Sequence, residues 1–599
     1  MTASHSSREL ISNLMFRLLP AQVFLAVINS INSIISSLFA GNFLGVDAMS
    51  AVGLYLPFNM FLSALSTMLV GGTTILSGKY IGENAQGPMR DVFSLDMILS
   101  LILSAVIIAL YVLLGVFDLT GFLTANPAVR SLFNQYLLGQ AIGVLPIMLS
   151  SQLSSFLSLE NQSVRTTAAT LACIAACLLA NLLFVYRLHL GAFGLALSTS
   201  VGMWVFLAVQ AQYYLSGRSS LPVSLSPHRV RWSGIGEIAR IGVPGAMGFG
   251  YQALRGLLLN QLISRYVGST GLSAFAANDA LLRFFWAIPF GMVAVSRMLF
   301  SVSVGEEDRK AISDIMRTIL TRYVPLMTAV TAMIVLLAHP LTQLYYRDAT
   351  APVYAMTALG FRLLPLAMPI SVFTLNYTCY GQTSGKLRLV HLLSLLTGVV
   401  CIVAFSALWL PAHGMGGVYA AHVVNGLVLV AVILIYACRQ KQGLIRTVDD
   451  LMAFPEGFGA LENEWMNLRV LNMNDVVRVS RALQQFCLEH GIDQRHSYLA
   501  GLAMEEIATV VVQRGFTEHR KRHEADIRVT HKDDWLILRI KDDCSPFDPT
   551  QRAAMLESED GIANIGIRMV QRIAADMQYQ SILGMNALTI RICMTNREE

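Results

Sequence analysis

The stretch that decides the fold covers residues 241–300, IGVPGAMGFGYQALRGLLLNQLISRYVGSTGLSAFAANDALLRFFWAIPFGMVAVSRMLF. It consists of two apolar segments joined by a short turn, and each is long enough to span a bilayer, which takes about 20 residues. Arg255, Asp279 and Arg283 lie well inside these segments. A central charge opposes insertion by roughly 2.5 to 3.5 kcal/mol, so such residues usually face a protein interior or a water-filled path. The pair of segments is therefore predicted to be where the protein meets its substrate.

The composition is that of a polytopic membrane protein with a soluble domain at its end. The chain has 599 residues, of which 54% are hydrophobic and 14% charged, and its mean hydropathy is +0.56. Dense charge begins only after Arg439 and predicts a cytosolic domain of about 140 residues, a typical domain size. The eight cysteines show no spacing of a metal site or a disulfide framework. The net charge of +5 is too small for its length to indicate a nucleic-acid-binding surface.

Hydropathy predicts about twelve spans, near residues 15–40, 51–77, 93–117, 131–158, 164–186, 190–215, 239–264, 271–303, 319–345, 352–381, 387–411 and 414–438. With the N-terminus inside, the cytoplasmic loops carry Lys79, Arg90, Arg165, Arg218, Arg229, Arg231, Arg309, Lys310, Arg317, Lys386 and Arg388, and the opposite loops carry Arg130, Arg187, Arg265 and Arg347. The positive-inside rule then places both termini in the cytoplasm of a plasma-membrane protein. The polar start of the chain shows no cleavable signal.

An internal repeat divides the membrane part into two halves. At one constant offset of 223 residues, the pairs are Gly45 with Gly268, Ser50-Ala51 with Ser273-Ala274, Gly82-Glu83 with Gly305-Glu306, and Gly191 and Gly194 with Gly414 and Gly417. Two parallel halves of six spans follow, and in such proteins the substrate site tends to lie near the midplane between the repeats. The predicted domains are residues 1–217, a linker at 218–238, residues 239–440, a linker at 441–462, and a cytosolic domain at 463–599.

The membrane part, roughly residues 10–438, resembles the MATE family of multidrug and toxic-compound extruders. The resemblance rests on the two six-span halves and on INSIISSLFAGNFLGVDAMSAVGLYLPF at residues 31–58, which is similar to the family's first-span segment. It implies an all-α transporter that couples export of a small organic compound to a proton or sodium gradient. Where many members carry a coupling Asp, this chain has Ser36. Coupling through a membrane carboxylate is therefore expected to fall on Asp279.

A charged patch is predicted in the second half. Because a helix rises 1.5 Å per residue, Arg255, Asp279 and Arg362 are each expected roughly 15 Å below the outer surface, with Arg283 one turn deeper. Two interpretations stay open: a buried ion network that locks helices together, or the lining of a substrate or ion cavity. In the second case the surplus arginines favour an anionic or zwitterionic substrate. The polar neighbours Asn260 and Asn278 are candidates for ligand contact or for hydrogen bonds between helices.

The tail from residue 463 is predicted to be a soluble α/β domain. WMNLRVLNM reads as a strand, NDVVRVSRALQQFCLEHG and RHSYLAGLAMEEIATVVVQRGF as helices, ADIRVTH and DWLILRI as strands, NIGIRMVQRIAADM as a helix and YQSILGMNALTIRICM as a hairpin. This order, with DDCSPFDP after the third strand, resembles the ATP-binding domain of histidine kinases and especially of anti-sigma-factor serine kinases. The resemblance covers residues 464–596.

The tail's resemblance implies an ATP site and also a defect in it. Glu506 matches the family's catalytic glutamate, Asp542 the residue that accepts from the adenine amino group, and Gly561 and Gly566 the glycines of the lid and the phosphate side. Val510 stands where the magnesium-binding Asn is expected, Cys544 replaces a glycine and Asn564 replaces another. Magnesium needs oxygen ligands, which valine does not supply. ATP binding is thus expected without efficient hydrolysis or phosphotransfer, and a bound magnesium ion is in doubt.

Three functions remain open at this stage. The first is a MATE-type exporter regulated by its nucleotide-binding-like tail. The second is a membrane-anchored sensor whose tail acts as a serine kinase, binds a cytosolic protein partner or dimerises. The third is a flippase for lipid-linked substrates. An ABC pump is excluded, because the sequence contains no GxxxxGK[ST] loop.

Overall fold

The computed structural model describes residues 11–27, 39, 46–83, 85–122, 127–160, 162–217, 219, 221, 232–346, 348–455, 457–460, 464–515, 525–532, 534–542, 544, 548, 565–582 and 585–594. Most of the first predicted span, with Ser36 and Gly45, lies outside these residues, as do Gly561 and Asn564.

Helices build the membrane part. In the first half they are α1 (Ile11–Val27), α2 (Val46–Leu54), α3 (Leu56–Gly82), α4 (Gln86–Val116), α5 (Pro127–Leu159), α6 (Ser163–Asn181) and α7 (Gly191–Leu215). In the second half they are α8 (Gly234–Tyr266), α9 (Ser269–Gly305), α10 (Arg309–Thr318), α11 (Val324–Leu336), α12 (Ala338–Gln343), α13 (Pro352–Leu363), α14 (Ala367–Thr383), α15 (Leu387–Leu395), α16 (Cys401–His413) and α17 (Met415–Lys441).

Ten helical segments of the described chain are long and apolar enough to cross a membrane. They correspond to ten of the predicted spans, with α10 and α11, α13 and α14, and α15 and α16 each forming one continuous crossing. Helix α8 is also 33 residues long, but Glu237, Arg240, Arg255 and Arg265 make it more polar. The remaining predicted span is described only in α1.

The two halves meet where α3 packs against α8 and α9, and glycines allow their backbones to touch. A Cβ at Gly82 would collide with the backbone oxygen of Val302, and one at Gly305 would collide with the backbone oxygen of Lys79. A Cβ at Gly242 would likewise collide with the backbone of Met68. Only residues without side chains fit at such contacts. Gly82 and Gly305 are repeat partners, so this is the point where the two repeats meet.

The contacts of Gly82 and Gly305 lie on the side of the membrane part that carries the C-terminal domain, which we call the tail side, and the contact of Gly242 with Met68 lies near the middle of α3. Farther along α8, toward the opposite or far side, a Cβ at Gly248, Gly250 or Gly256 would meet no atom of the described residues within 4 Å. The halves are therefore held together on the tail side, whereas no described residue packs against α8 at these three positions.

Matched backbone conformations support the repeat found in the sequence. Gly191 and Gly414, which are repeat partners, both have left-handed φ values, +59° and +54°, at the starts of α7 and α17. Glycine adopts this conformation without the steric cost that other residues have. The same turn into a helix is thus made at the same position of each half.

The C-terminal domain has a layer of helices on one face of a sheet. Helix α18 (Val448–Met452) lies in the connection to this domain, whose own helices are α19 (Met473–Glu489), α20 (Gln494–Gly515) and α21 (Ile565–Ile573). The strands are β1 (Trp465–Val470), β2 (Ala525–Lys532), β3 (Trp535–Asp542), β4 (Asp576–Ile582) and β5 (Met585–Cys593). The strands are antiparallel in the order β1-β2-β3-β5-β4. Leu536, Leu538 and Ile540 of β3 are buried in a core shared with α19 and α20. Side chains alternate along a strand, so Arg539 and Lys541 lie on the opposite face.

The predicted linker at 441–462 packs onto the membrane part. The hydroxyl groups of Tyr377 and Tyr380 in α14 donate to the backbone oxygens of Leu451 and Met452, at 3.0 and 2.9 Å. The ammonium of Lys386 donates to the same Met452 oxygen at 2.6 Å. Leu451 and Met452 are buried in a core to which transmembrane helices of both halves contribute. Helix α18, at the start of the connection, is thus fixed to the transmembrane helices.

Candidate functional site

Asp279 and Arg283 form an ion pair along one face of α9, as their spacing predicted. The side chains remain 55% and 64% exposed, respectively. An ion pair that locked neighbouring helices together would be buried between them. The exposure of this pair therefore favours the lining of a cavity over a buried ion network.

Arg255 and His422 complete a charged cluster between α8, α9 and α17. Arg255 is half-buried, and the charge of Asp279 acts on it. Both charges also act on His422, whose Nδ1 donates to the Val418 carbonyl at 2.9 Å. His422 could not be predicted as part of this cluster, because a lone histidine in an apolar span has no distinguishing sequence pattern. The cluster contains one carboxylate and two guanidinium groups, so its charge is net positive.

Arg362 lies in a second group of polar side chains, which comes from the start of α12 and from α13. Its Nη2 is 2.8 Å from His339 Nε2, and His339 Nδ1 is 3.2 Å from the hydroxyl of Tyr354. The guanidinium is exposed. The closest described partner of Arg362 is thus a histidine and not a carboxylate. Arg362 therefore adds a further positive charge to the second half.

The two asparagines of the predicted patch differ in their surroundings. Asn278 is fully buried, and its Nδ2 donates to the Ala274 carbonyl at 2.9 Å and to the Tyr419 hydroxyl at 3.2 Å. A Cβ at Gly360 would collide with it, so Asn278 joins α9, α13 and α17. Asn260 is exposed on α8. Of the two, only Asn260 has an exposed side chain.

Asp96 of α4 is a second carboxylate inside the predicted spans, and the sequence-based expectation that Asp279 alone carries such chemistry overlooked it. It is fully buried, and among the described residues neither oxygen has a hydrogen-bond partner. The nearby hydroxyl of Thr73 in α3 acts on it. Asp96 lies ten residues after Gln86, about 15 Å into the helix. Its position inside the span FSLDMILS was the available signal.

The first half also has a buried chain of uncharged polar groups. Gln22 Nε2 donates to Ser158 Oγ at 3.0 Å, and Gln210 Nε2 donates to Ser154 Oγ at 2.7 Å. Gln152 Nε2 donates to the Ser66 backbone oxygen at 3.4 Å. These bonds join α1, α3, α5 and α7. Polar groups buried in a membrane part are commonly used to hold helices together or to line a path for ions.

In the C-terminal domain, Asp542 ends β3 and is buried. Its Oδ1 accepts from Asn586 Nδ2 at 2.7 Å and from the backbone N–H of Cys544 at 3.0 Å. Asn586 Oδ1 in turn accepts from the hydroxyl of Tyr579 at 2.9 Å. The carboxylate predicted to recognise adenine is therefore fixed in orientation by the neighbouring strand β5.

The other predicted nucleotide residues lie on the helical layer or outside the described chain. Glu506 is half-buried on α20, with Val510 one turn later on the same helix. Gly566 lies in the first turn of α21, where backbone N–H groups can hold a phosphate. Gly561 lies outside the described residues.

These residues fit an adenine nucleotide but do not fit a magnesium ion. The oriented Asp542 and the start of α21 supply an acceptor and backbone donors of the kinds that adenine and phosphate require. Val510 supplies no oxygen beside Glu506, and in the described part of the chain no three His, Cys, Asp or Glu residues cluster as a metal site would.

Two family models match the chain. The MatE model matches residues 21–187, and the model of the histidine kinase-like ATPase domain matches residues 471–593. The resemblances noted in the sequence are thus confirmed over these ranges. No curated protein matches the chain.

Solved structures similar to the chain have the same membrane fold. A crystal structure of MATE in complex with MaL6 has a TM-score of 0.68 and 19% identity, covering 76% of this chain and 100% of that one. An outward-facing multidrug resistance MATE family transporter of the MOP superfamily has a TM-score of 0.67 and 20% identity, with coverages of 74% and 97%. A MOP superfamily transporter from Pyrococcus furiosus, described as having a binding pocket of reverse polarity that suggests a different function, has a TM-score of 0.65 and 19% identity, with coverages of 73% and 98%. The predicted fold class is confirmed.

Proposed function

We propose that this chain, which carries a MatE domain and a histidine kinase-like ATPase domain and has the fold of MATE transporters, exports small organic compounds across the plasma membrane. The observation that carries the proposal is the fold itself, which accounts for the full length of a solved MATE chain. Both termini lie in the cytoplasm, so the tail side is the cytoplasmic side. The excess of basic loop residues there supports this orientation.

The substrate is anionic or zwitterionic. Asp279 and Arg283 neutralise each other, whereas Arg255 and Arg362 have no carboxylate of their own among the described ion pairs. Exposed charges are costly in lipid, which supports a water-filled cavity around them. The reverse polarity described for the Pyrococcus furiosus transporter supports a pocket that differs from one for lipophilic cations.

Protons drive the export, and Asp96 is the group that takes them up. A carboxylate buried without a positive neighbour is stable only when protonated, because the dehydrated charge is costly. A change in its access to water would release the proton. Asp279 already has a cationic partner, Arg283, which suits substrate binding. Sodium is the less favoured coupling ion, because it needs several oxygen ligands and neither carboxylate oxygen of Asp96 has a hydrogen-bond partner among the described residues.

The C-terminal domain binds an adenine nucleotide and regulates the transporter. Asp542 and α21 support binding, and the missing magnesium ligand at Val510 supports a sensing role over catalysis. For the same reason the alternative of a membrane-anchored serine kinase is disfavoured.

Replacing Arg255 with alanine is expected to lower transport of anionic compounds by about tenfold, which corresponds to about 1.4 kcal/mol of lost interaction. Uptake of fluorescein and of ethidium into proteoliposomes measures the effect, and the ethidium rate should not fall. Arg265→Ala, at the end of the same helix, is the matched control. An equal loss in both variants, or no loss in Arg255→Ala, would contradict the assignment of the patch to the substrate.

Replacing Asp96 with asparagine is expected to abolish the dependence of transport on an imposed pH gradient, because the amide keeps the shape but cannot exchange a proton. The same proteoliposomes, tested with a pH gradient and with a sodium gradient, provide the measurement. Asp279→Asn should weaken substrate binding and keep the dependence on pH. If Asp279→Asn loses that dependence and Asp96→Asn retains it, coupling lies in the second half instead.

ATP is expected to bind the purified full chain with the same affinity in magnesium and in EDTA, because Val510 cannot contribute to a magnesium site. In Val510→Asn, magnesium should strengthen binding by about tenfold, as a new oxygen ligand becomes available. Calorimetric titration tests both, with Val477→Asn on the exposed face of α19 as the control. Wild-type binding that requires magnesium, or no binding at all, would refute this account of the tail.

A further inference from the structure

The turn between α9 and α10 carries three successive carboxylates, Glu306, Glu307 and Asp308, which we call the acidic turn. Glu307 has a left-handed φ of +52°, a conformation that few residues other than glycine adopt. Backbone conformations of this kind persist only where the surrounding structure holds them. This turn directly follows Gly305, the residue at which α9 touches α3.

The face of the sheet that is turned away from its helices carries the complementary charges. Arg528 and Lys532 of β2 and Arg539 and Lys541 of β3 form this basic face, in which the four cations outnumber the one acid that these strands place on this face, Asp526, opposite Lys541. Arg528 and Arg539 are directly opposite each other in the strand register. Like charges placed opposite each other repel, so the face is suited to receive a partner with negative charge.

The acidic turn is that partner in the structure. Glu306 Oε2 accepts from Lys541 Nζ at 2.7 Å and lies 3.8 Å from Arg539 Nη1. Glu307 Oε2 accepts from Lys532 Nζ at 2.7 Å. Asp308 pairs with Arg528. Each carboxylate of the turn thus has its own cation on β2 or β3.

Burial makes these pairs specific. The side chains of Glu306 and Asp308 are only 6% and 8% exposed. Burial by itself would raise the pKa of Asp308, but the charges of Arg528 and Lys541 and the N–H of Ala311 hold it at about 2. A buried carboxylate that lost its cation would leave an uncompensated charge. The tail therefore cannot leave this face without exposing the turn to water.

Contacts between cationic side chains and aromatic rings extend the same interface. The ring of Trp465 in β1 lies 4.9 Å from the guanidinium of Arg528 and 5.2 Å from the ammonium of Lys310 in α10. Arg309 lies 4.9 Å from the ring of Phe454, which follows α18. The start of α10 thus contacts both the sheet and the connection that leads to the sheet.

The first half offers a natural comparison. Its repeat-related turn carries Glu83, which is exposed and pairs only loosely with Lys79, at 3.7 Å. The basic face of the tail thus pairs with the turn of the second half and not with the equivalent glutamate of the first half, Glu83. The asymmetry between two otherwise equivalent turns argues for a function beyond loop structure.

We propose that the basic face is a docking surface for the acidic turn, and that the docked tail holds this turn and the adjoining end of α9 against α3, whose Gly82 packs on the backbone of Glu306. Release of the tail then frees the contact between Gly82 and Gly305 and lets the tail side open. The docking itself is independent of the proposed function, and only its effect on transport rests on it.

Hydrogen exchange of the full chain in nanodiscs, followed by mass spectrometry, tests this. In Glu306→Lys, the amides of β2 and β3 and of the tail-side ends of α3 and α9 should all exchange about tenfold faster. The reason is that loss of the contact between the basic face and the acidic turn also weakens the contact between α3 and α9. Adding Lys541→Glu should restore most of the protection by reversing the pair. Glu83→Lys, at the repeat-related turn, should leave all these segments unchanged.

Glu307→Lys, alone and with Lys532→Glu, repeats the test at the more exposed pair, where misfolding is not at issue. Faster exchange in the single variant that is reversed in the double variant supports the dock. Unchanged exchange of β2 and β3 in both single variants would overturn the docking. Faster exchange in the tail with unchanged exchange in α3 and α9 would overturn the coupling to the helices. Since exchange is measured without substrate, neither result depends on whether the chain transports.

Discussion

The structure depends on the direct backbone contact of α3 with α8 and α9. Gly82, Gly242 and Gly305 make it because any side chain there would collide with the opposing backbone. The contact joins the two repeats on the tail side, and close packing of small residues is a main source of helix association in membranes. It also positions α9 so that the acidic turn emerges beside the point of contact.

The charges follow from this arrangement. On the tail side they are paired across the domain boundary, with Glu306 and Asp308 buried against β2 and β3. Within the membrane part, Asp279 and Arg283 are paired but exposed, and Asp96 is buried without a partner among the described residues. The buried pairs fit the proposed docking, the exposed pair fits substrate binding, and the buried Asp96 fits proton uptake. In β3, Lys541 and Asp542 are neighbours on opposite faces, which places the docking surface beside the nucleotide residues.

Sequence patterns predicted the elements well and the contacts between distant elements poorly. Apolar runs located the spans, one constant offset identified the repeat, and the order of helices and strands indicated the ATPase-like domain, because each signal is local or periodic. The spacing of Asp279 and Arg283 predicted their pair for the same reason. The partnership of Glu306 with Lys541 depends on how residues 235 positions apart meet, and no local pattern encodes it. Asp96 was overlooked because one acid near a predicted span end resembles a loop residue.

Pulsed electron paramagnetic resonance gives the most direct test of the proposal that proton uptake by Asp96 drives export, because the far-side distance between the two halves should then depend on pH. Spin labels at Leu56 and Tyr266, exposed at the far-side ends of α3 and α8, would be introduced after replacement of the eight cysteines. We expect two populations of the distance between the two labels, whose ratio shifts between pH 5 and pH 8. In Asp96→Asn the ratio should not depend on pH. A single distance that is the same at both pH values would contradict it.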